Sequence, residues 1–230
     1  MAMTEVEMFV DPSCPWAWIT SRWLVEVAPE RDLSLTWRSY CLEIRDDYGV
    51  AAAVPEEYRE RALAGHALSH RMLRVFEAAR ADAGESAVDA LYAEWGRRYL
   101  GAGRSADDGP DGRRGDGARE GGDSLLAACL AASGLSAELL AAANDEKWDA
   151  PIVDAMEIAY EFGGPKTQTP TIVVRSTSGP YGFKGPVMAP APHGDAALRL
   201  WDAITVIAQE PGFFEITRPR SNPPRPTLID

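Results

Sequence analysis

Short β-type runs stand at the two ends of the chain, and the first of them opens a strand–helix–strand pattern. Val6–Val10 is rich in β-forming residues and is ended by Asp11-Pro12, which predicts a strand. A helix follows, because Pro15 suits a first helical turn and apolar residues recur at helical spacing up to Val27. Leu33–Tyr40 then alternates apolar and polar residues, as a half-buried strand does. This order predicts a right-handed, parallel βαβ unit.

The middle of the chain shows helical periodicity and no convincing strand. The predicted helices run from Pro55 through Phe76, over Ser86–Tyr99, over Ser124–Ala132, from a Ser136 cap to Ala143, and over Pro151–Phe162. Between them, residues 101–123 hold eight glycines and no aliphatic side chain larger than alanine. Such a segment buries too little apolar surface to offset its ordering entropy, so a disordered loop is predicted there.

Strand signals return in the last third of the chain. Thr171–Arg175 is almost entirely β-branched, Ser176–Gly179 is typical of a turn, and Pro180–Lys184 is the expected returning strand of a hairpin. A last helix is predicted from about Gly194 through Ile207. The sequence therefore predicts an α/β protein whose βαβ…ββα core comprises residues 1–50 and 165–216. An all-α subdomain is inserted at 51–164, and an extended tail follows at 217–230.

Composition narrows the function classes. Lys and Arg number 23 against 35 Asp and Glu, a net charge of −12. This acidic balance argues against nucleic acid and against anionic membranes as partners, and no apolar run approaches the length that spans a bilayer. Because no secretory signal is visible, we expect a cytoplasmic protein. Three cysteines are an odd number and too few for a disulfide framework, and a reducing compartment disfavours disulfides. Any cysteine that does more than pack in the core is therefore expected to have a reactive role.

Cys14 is the candidate nucleophile. It lies where the first strand ends and the first helix begins, and there unpaired amide groups and the helix dipole favour an anion. Such a position can lower a thiol pKa from about 8.5 to roughly 3.5–7.5. The competing interpretation is a buried cysteine that only packs. Two features favour reactivity: Cys14-Pro15-Trp16 is unusual at a packing site, and Thr169-Pro170 precedes a strand, where a cis-proline loop would lie beside the sulfur.

These elements resemble the DsbA-like branch of the thioredoxin fold. A closer resemblance, to the actinobacterial mycothiol-dependent nitroreductase family, is carried by the blocks Phe9–Trp23, Thr169–Ile172, Phe183–Val187, Leu200–Asp202 and Phe213–Glu215. The resemblance implies a thioredoxin-like fold and a reductase that takes electrons from mycothiol or a similar low-molecular-weight thiol to reduce disulfides or nitro compounds. It also implies that Cys14 attacks and that Pro170 is the cis-proline.

The residues around Cys14 are the expected binding site for the thiol or the substrate. Trp16 is expected to shield the sulfur and to offer a flat surface, whereas Trp18, Trp23 and Trp37 are expected in the core. Arg22, with Thr20 and Ser21, is polar enough to touch a sugar-containing thiol, although a solvated helix face explains these residues nearly as well. Asp11 could tune the thiol or simply end the strand. The predicted binding residues are Pro15, Trp16, Ala17, Thr169 and Arg22.

The chain departs from the two-cysteine members of the family at one position. They carry Cys-Pro-Trp-Cys, whereas Ala17 stands fourth here. A mixed disulfide on Cys14 can still form, but no second motif cysteine can release it, so an external thiol is needed. Cys41, at the end of the second strand, is an alternative resolving thiol, and Cys129 is expected in the core.

Other cofactors are not indicated. No dinucleotide or phosphate-binding motif is present, so a bound nucleotide is not expected. His66 and His70 lie four residues apart on one predicted helix and are expected to form a surface pair without a metal.

Three functional interpretations therefore stand. The first is the one-cysteine oxidoreductase. The second is a non-redox enzyme like the kappa-class transferases or chromene-carboxylate isomerases, which use a hydroxyl at the position of Cys14; Ser13 is adjacent but one residue off, which weakens this interpretation. The third is a redox-inactive binding protein, with Ala17 marking lost activity. A sheet edge or the helical insertion could support a homodimer.

Overall fold

The computed structural model describes residues 3–45, 56–101, 122–220 and 224, without the side chains of 57, 58 and 61. The strands are Thr4–Val10 (β1), Leu33–Ser39 (β2), Thr171–Ser176 (β3) and Gly179–Lys184 (β4). The α-helices are Pro15–Val27 (α1), Glu56–Ala83 (α2), Glu85–Trp95 (α3), Gly122–Ala132 (α4), Asp149–Gly163 (α5) and Asp195–Ala208 (α6). Short segments of other helix types cover Ala28–Glu30, Gly96–Gly101, Ala137–Asn144 and Glu146–Trp148.

The four strands form one sheet in the order β2-β1-β3-β4. β1 and β2 are parallel, and the other two pairs are antiparallel. Phe9 pairs with Thr171 and Val10 with Ser39, so the end of β1, the end of β2 and the beginning of β3 meet at one edge of the sheet. The predicted α/β class, the βαβ unit and the hairpin are confirmed.

Buried side chains of the sheet, of α1 and of the inserted helices form one contiguous hydrophobic core. Tyr92 of α3 lies at its centre, with ring centroids 5.5 Å from Trp18, 5.5 Å from Trp37 and 6.1 Å from Phe76. Trp18, Trp37 and Trp23 are all buried, as predicted. The helices between β2 and β3 therefore share one core with the sheet and pack directly on α1, the helix that Cys14 precedes.

The helix predicted over Ser86–Tyr99 changes type partway. α3 ends at Trp95, and the chain continues as a π-helical turn from Gly96 to Gly101. The Trp18 ring lies so close to Gly96 that a Cβ atom there would overlap it. A glycine at this position is what lets α1 and the insertion approach each other.

We expect Gly96→Ala to lower the free energy of unfolding by about 1–3 kcal/mol, because an added methyl in a close-packed core forces the indole away. Urea unfolding measures the change. Gly212→Ala is the matched control, since a Cβ there would only make an ordinary contact with a flexible glutamate side chain. Equal unfolding midpoints for the two variants would contradict the packing argument.

Two predicted irregular segments fall largely outside the described residues. The predicted disordered loop covers residues 101–123, and of these 102–121 lie outside the described residues. The described ends of the loop are helical: Gly101 closes the π-helical turn, and Gly122 begins α4. Of the predicted extended tail, residues 217–220 are exposed and have no regular secondary structure, and most of the remainder is not described.

Candidate active site

Cys14 is the residue that caps the N-terminus of α1. Its backbone is extended (φ −82°, ψ 110°), and Pro15 occupies the first helical turn. The Cys14 amide donates to the carbonyl of Asp11 at 2.9 Å, which folds the chain tightly between strand and helix. The side chain is 7% exposed. The structure thus places the sulfur at the head of the helix, as the sequence predicted.

The Thr169–Pro170 loop lies against this sulfur. The peptide bond between the two residues is cis, and the Cys14 thiol points at the Thr169 carbonyl oxygen at 3.8 Å. The Thr169 hydroxyl donates to the Phe9 carbonyl at 2.9 Å and accepts from the Asp11 amide at 3.3 Å. The loop is therefore fixed to the end of β1, and its backbone faces Cys14.

A buried carboxylate holds the Cys14 loop in place. Asp11 is fully buried, and its Oδ1 accepts from the Ser13 amide at 2.7 Å and from the Ser13 and Ser69 hydroxyls at 2.6 Å each. Its Oδ2 accepts from the Leu42 amide at 2.8 Å. Four donors from the Cys14 loop, α2 and the end of β2 thus converge on one side chain. Sequence reasoning missed Ser69, whose only signal is a small hydroxyl on an otherwise apolar face of α2.

The insertion also reaches this loop from α3. The indole Nε1 of Trp95 donates to the Pro12 carbonyl at 2.8 Å, and both groups are buried. The carbonyl two residues before Cys14 thereby receives a donor from a residue 83 positions further along the chain.

Trp16 and Arg220 are in contact across the site. Trp16 is half-buried against the core, and the guanidinium of Arg220, in the C-terminal segment, lies 5.1 Å from the centre of its ring. The segment after α6 therefore returns to the residues next to Cys14. Nothing in the sequence of this segment indicated that contact.

The remaining predicted binding residues have different surroundings. Pro15 and Ala17 are buried in the first turn of α1. Arg22 stacks on Trp18, 4.2 Å from the ring centre, and burial lowers the pKa of its guanidinium. Thr20 and Ser21 are fully buried, so the solvated helix face considered from the sequence is wrong for these two. A contact between Arg22 and a thiol stays a prediction.

Neither of the other cysteines is disulfide-bonded. Cys41 is fully buried, and burial, together with the nearby Asp11 carboxylate, raises the pKa of its thiol. Cys129 lies in the core, as predicted, and burial raises its pKa to about 11. A thiol with a raised pKa is seldom ionised, which makes both poor candidates for attacking a disulfide.

The prediction that His66 and His70 form a surface pair is wrong. The face of α2 that carries both histidines is covered by other parts of the chain, and His66 is only 5% exposed. The His70 ring lies between two carboxylates, with Nδ1 2.7 Å from Glu43 and Nε2 2.8 Å from Asp149. The periodicity of α2 alone did not show what packs against it. Among the described residues, no group of three His, Cys, Asp or Glu side chains is arranged to hold a metal ion.

The helices of the described residues include none that is long and apolar enough to cross a bilayer.

Comparisons with solved structures agree with the predicted fold. The chain superimposes on a chain from Streptomyces coelicolor described as a "probable DsbA oxidoreductase SCO1869", with a TM-score of 0.54, 16% identity and coverage of 95% of this chain and 94% of that one. The cytosolic disulfide reductase DsbM from Pseudomonas aeruginosa matches with a TM-score of 0.54 and 17% identity, over 89% of this chain and 100% of that one. The thioredoxin-like, DsbA-type fold is confirmed.

Comparisons of sequence identify the family. The chain is 28% identical, over 219 residues, to the uncharacterised protein Rv2286c of Mycobacterium tuberculosis, covering 95% of this chain and 84% of that protein. The model of the Rv2466c-like family, described as mycothiol-dependent nitroreductase Rv2466c, matches residues 13–218. That span runs from the Cys14 loop through the Thr169–Pro170 loop to the C-terminal segment, and the chain is accordingly a member of the Rv2466c-like, mycothiol-dependent nitroreductase family.

Proposed function

We propose that the chain is a thiol–disulfide oxidoreductase that works with Cys14 alone. The observation that carries the proposal is the position of Cys14 at the head of α1, beside the Thr169 carbonyl, with Ala17 where a second motif cysteine would stand. In the first step the Cys14 thiolate attacks a disulfide, forms a mixed disulfide with one half and releases the other half as a thiolate. A free thiol then attacks the mixed disulfide and regenerates Cys14.

Family membership supports mycothiol, or a similar low-molecular-weight thiol, as the electron donor. With a nitro compound as acceptor, two such thiols become one disulfide while the nitro group becomes a nitroso group and water. We place this chemistry in a reducing compartment such as the cytoplasm, with Pro15, Trp16, Ala17 and Thr169 around the bound thiol and Pro170 beside the mixed disulfide. A homodimer stays a prediction.

The geometry does not favour the non-redox alternative. That interpretation needs a reactive hydroxyl at the position of Cys14. The adjacent hydroxyl of Ser13 is one residue away, is fully buried and donates to Asp11 at 2.6 Å. A hydroxyl held by a buried carboxylate faces the interior, whereas the Cys14 sulfur lies at the loop that would hold the substrate.

Intact-mass measurement after incubation with the oxidised thiol tests the proposed function. We expect one mixed disulfide per chain for the wild type and for Cys41→Ser, and none for Cys14→Ser. The Cys41→Ser variant also tests the alternative resolving thiol. An adduct on Cys14→Ser, no adduct on the wild type, or a Cys14–Cys41 disulfide in a non-reducing digest would contradict the one-cysteine mechanism.

A further inference from the structure

The C-terminal end of β4 brings a lysine to the Cys14 side of the sheet. Lys184 ends β4 and pairs with Thr171, the residue that follows Pro170. The amide of Gly185 donates to the Pro170 carbonyl at 2.8 Å, so the end of this strand is fixed to the loop that faces Cys14. The Lys184 side chain is itself exposed.

Arg220 brings a second exposed cation to the same region from a different part of the chain. Its guanidinium lies over Trp16, two residues from Cys14. Arg45, buried after the end of β2, adds a third positive charge and donates to the Lys166 carbonyl at 3.1 Å. Three cations from three separate segments thus lie around the candidate site of a chain whose net charge is −12.

These charges are close enough to act on one another. Although its side chain reaches solvent, partial burial lowers the pKa of Lys184, and the nearby Arg220 and Arg45 lower it further, while Glu215 opposes them. Within residues 3–45, 56–101 and 122–220, Lys184 and Arg220 form no ion pair with a carboxylate. Lys184 and Arg220 therefore repel each other without forming an ion pair in the part of the chain that the structure describes, and an anionic group of a ligand would relieve that repulsion.

We propose that Lys184 and Arg220, together with the Trp16 ring, form a binding site for a carboxylate or phosphate group of the disulfide or nitro compound that Cys14 reduces. The inference rests on the proposed function and narrows its substrate class to anionic compounds. The exposed cations raise the local concentration of such a substrate, and Trp16 offers its remaining surface to the part of the molecule next to the sulfur.

Alkylation of Cys14 tests the charge preference without any redox step. Iodoacetate and iodoacetamide form the same S–C bond and differ in one negative charge, so the ratio of their rates on Cys14, followed by mass, cancels changes in thiolate population. We expect the ratio of the iodoacetate rate to the iodoacetamide rate to fall about tenfold at low salt in the double variant Lys184→Gln, Arg220→Gln. In the wild type, high salt should lower the same ratio. Arg199→Gln removes an exposed cation of α6 and should leave the ratio unchanged.

Matched disulfides then identify the anionic group. The quantity compared is the rate at which each disulfide forms the mixed disulfide on Cys14. Dithiodipropionate and bis(2-hydroxyethyl) disulfide compare a carboxylate with a hydroxyl. Oxidised phosphopantetheine and pantethine compare a phosphate with its neutral parent. A preference for either anionic member that the double variant loses supports the site and names the group. An unchanged alkylation ratio in the double variant overturns the site, even if the mixed disulfides form normally. If the wild type prefers iodoacetate and the double variant loses that preference, but no mixed disulfide forms on Cys14, the anion-binding site is supported and the proposed redox function is overturned.

Discussion

Asp11→Asn is expected to lower the free energy of unfolding by about 3 kcal/mol, although the substitution barely changes the size of the side chain. The Asp11 carboxylate accepts four hydrogen bonds, two from amides and two from hydroxyls. An asparagine offers one accepting oxygen, so its NH₂ group must face the donors on one side of the present carboxylate. The Ser13 amide also donates to the Ser69 hydroxyl at 3.1 Å, whereas the Leu42 amide donates to Asp11 and cannot rotate away. Four hydrogen bonds would then compete for one uncharged oxygen, and buried donors lose a charged acceptor.

Urea unfolding measures this change, with Asp202→Asn as the matched control. Asp202 makes an ion pair with Arg31 at 2.8 Å, but its side chain is half exposed and water replaces the lost contact. The control should therefore unfold at nearly the wild-type urea concentration. Similar midpoints for both variants would mean that the four short bonds of Asp11 do not hold the Cys14 loop.

Ala17→Cys is expected to shorten the lifetime of the Cys14 mixed disulfide by about 100-fold or more, because a thiol held one helical turn away reacts as part of the same molecule. Residue 17 is fully buried in the first turn of α1, three residues after Cys14. The introduced thiol would attack Cys14, release the bound small thiol and leave an intramolecular disulfide. Intact mass should then show a loss of two hydrogens in place of the adduct.

Ala17→Ser is the control for this experiment, since it places an oxygen where the variant has a sulfur, and a hydroxyl cannot attack a disulfide as a thiol does. We expect its mixed disulfide to persist as in the wild type. Accumulation of a stable adduct on Ala17→Cys would show that the first turn of α1 does not bring position 17 within reach of the Cys14 sulfur.

Local rules predicted the parts of the site that are close in sequence. A strand ended by Asp11-Pro12 and a helix begun at Pro15 place Cys14 at a helix N-terminus wherever the rest of the chain lies. The order of the strands likewise predicted that Thr169 would enter the sheet near this point. These features depend on the backbone conformation of a few neighbouring residues, and the types of those residues largely determine that conformation.

The contacts that complete the site depend on which distant segments pack together. Ser69 reaches Asp11 only because α2 crosses the end of β1, and Arg220 reaches Trp16 only because the segment after α6 turns back. The error at His66 and His70 has the same origin. A helical period shows which residues share a face, but it does not show whether solvent or another helix covers that face.

The hydrogen bond from Trp95 to the Pro12 carbonyl bears on how the Cys14 loop can be transplanted. A designer who grafts the segment from β1 to α1 onto a smaller thioredoxin-type scaffold leaves that carbonyl without its indole donor and Trp18 without the glycine against which it rests. The Cys14 loop and the helical insertion therefore form one transferable module, and each must be carried into a new scaffold together with the other.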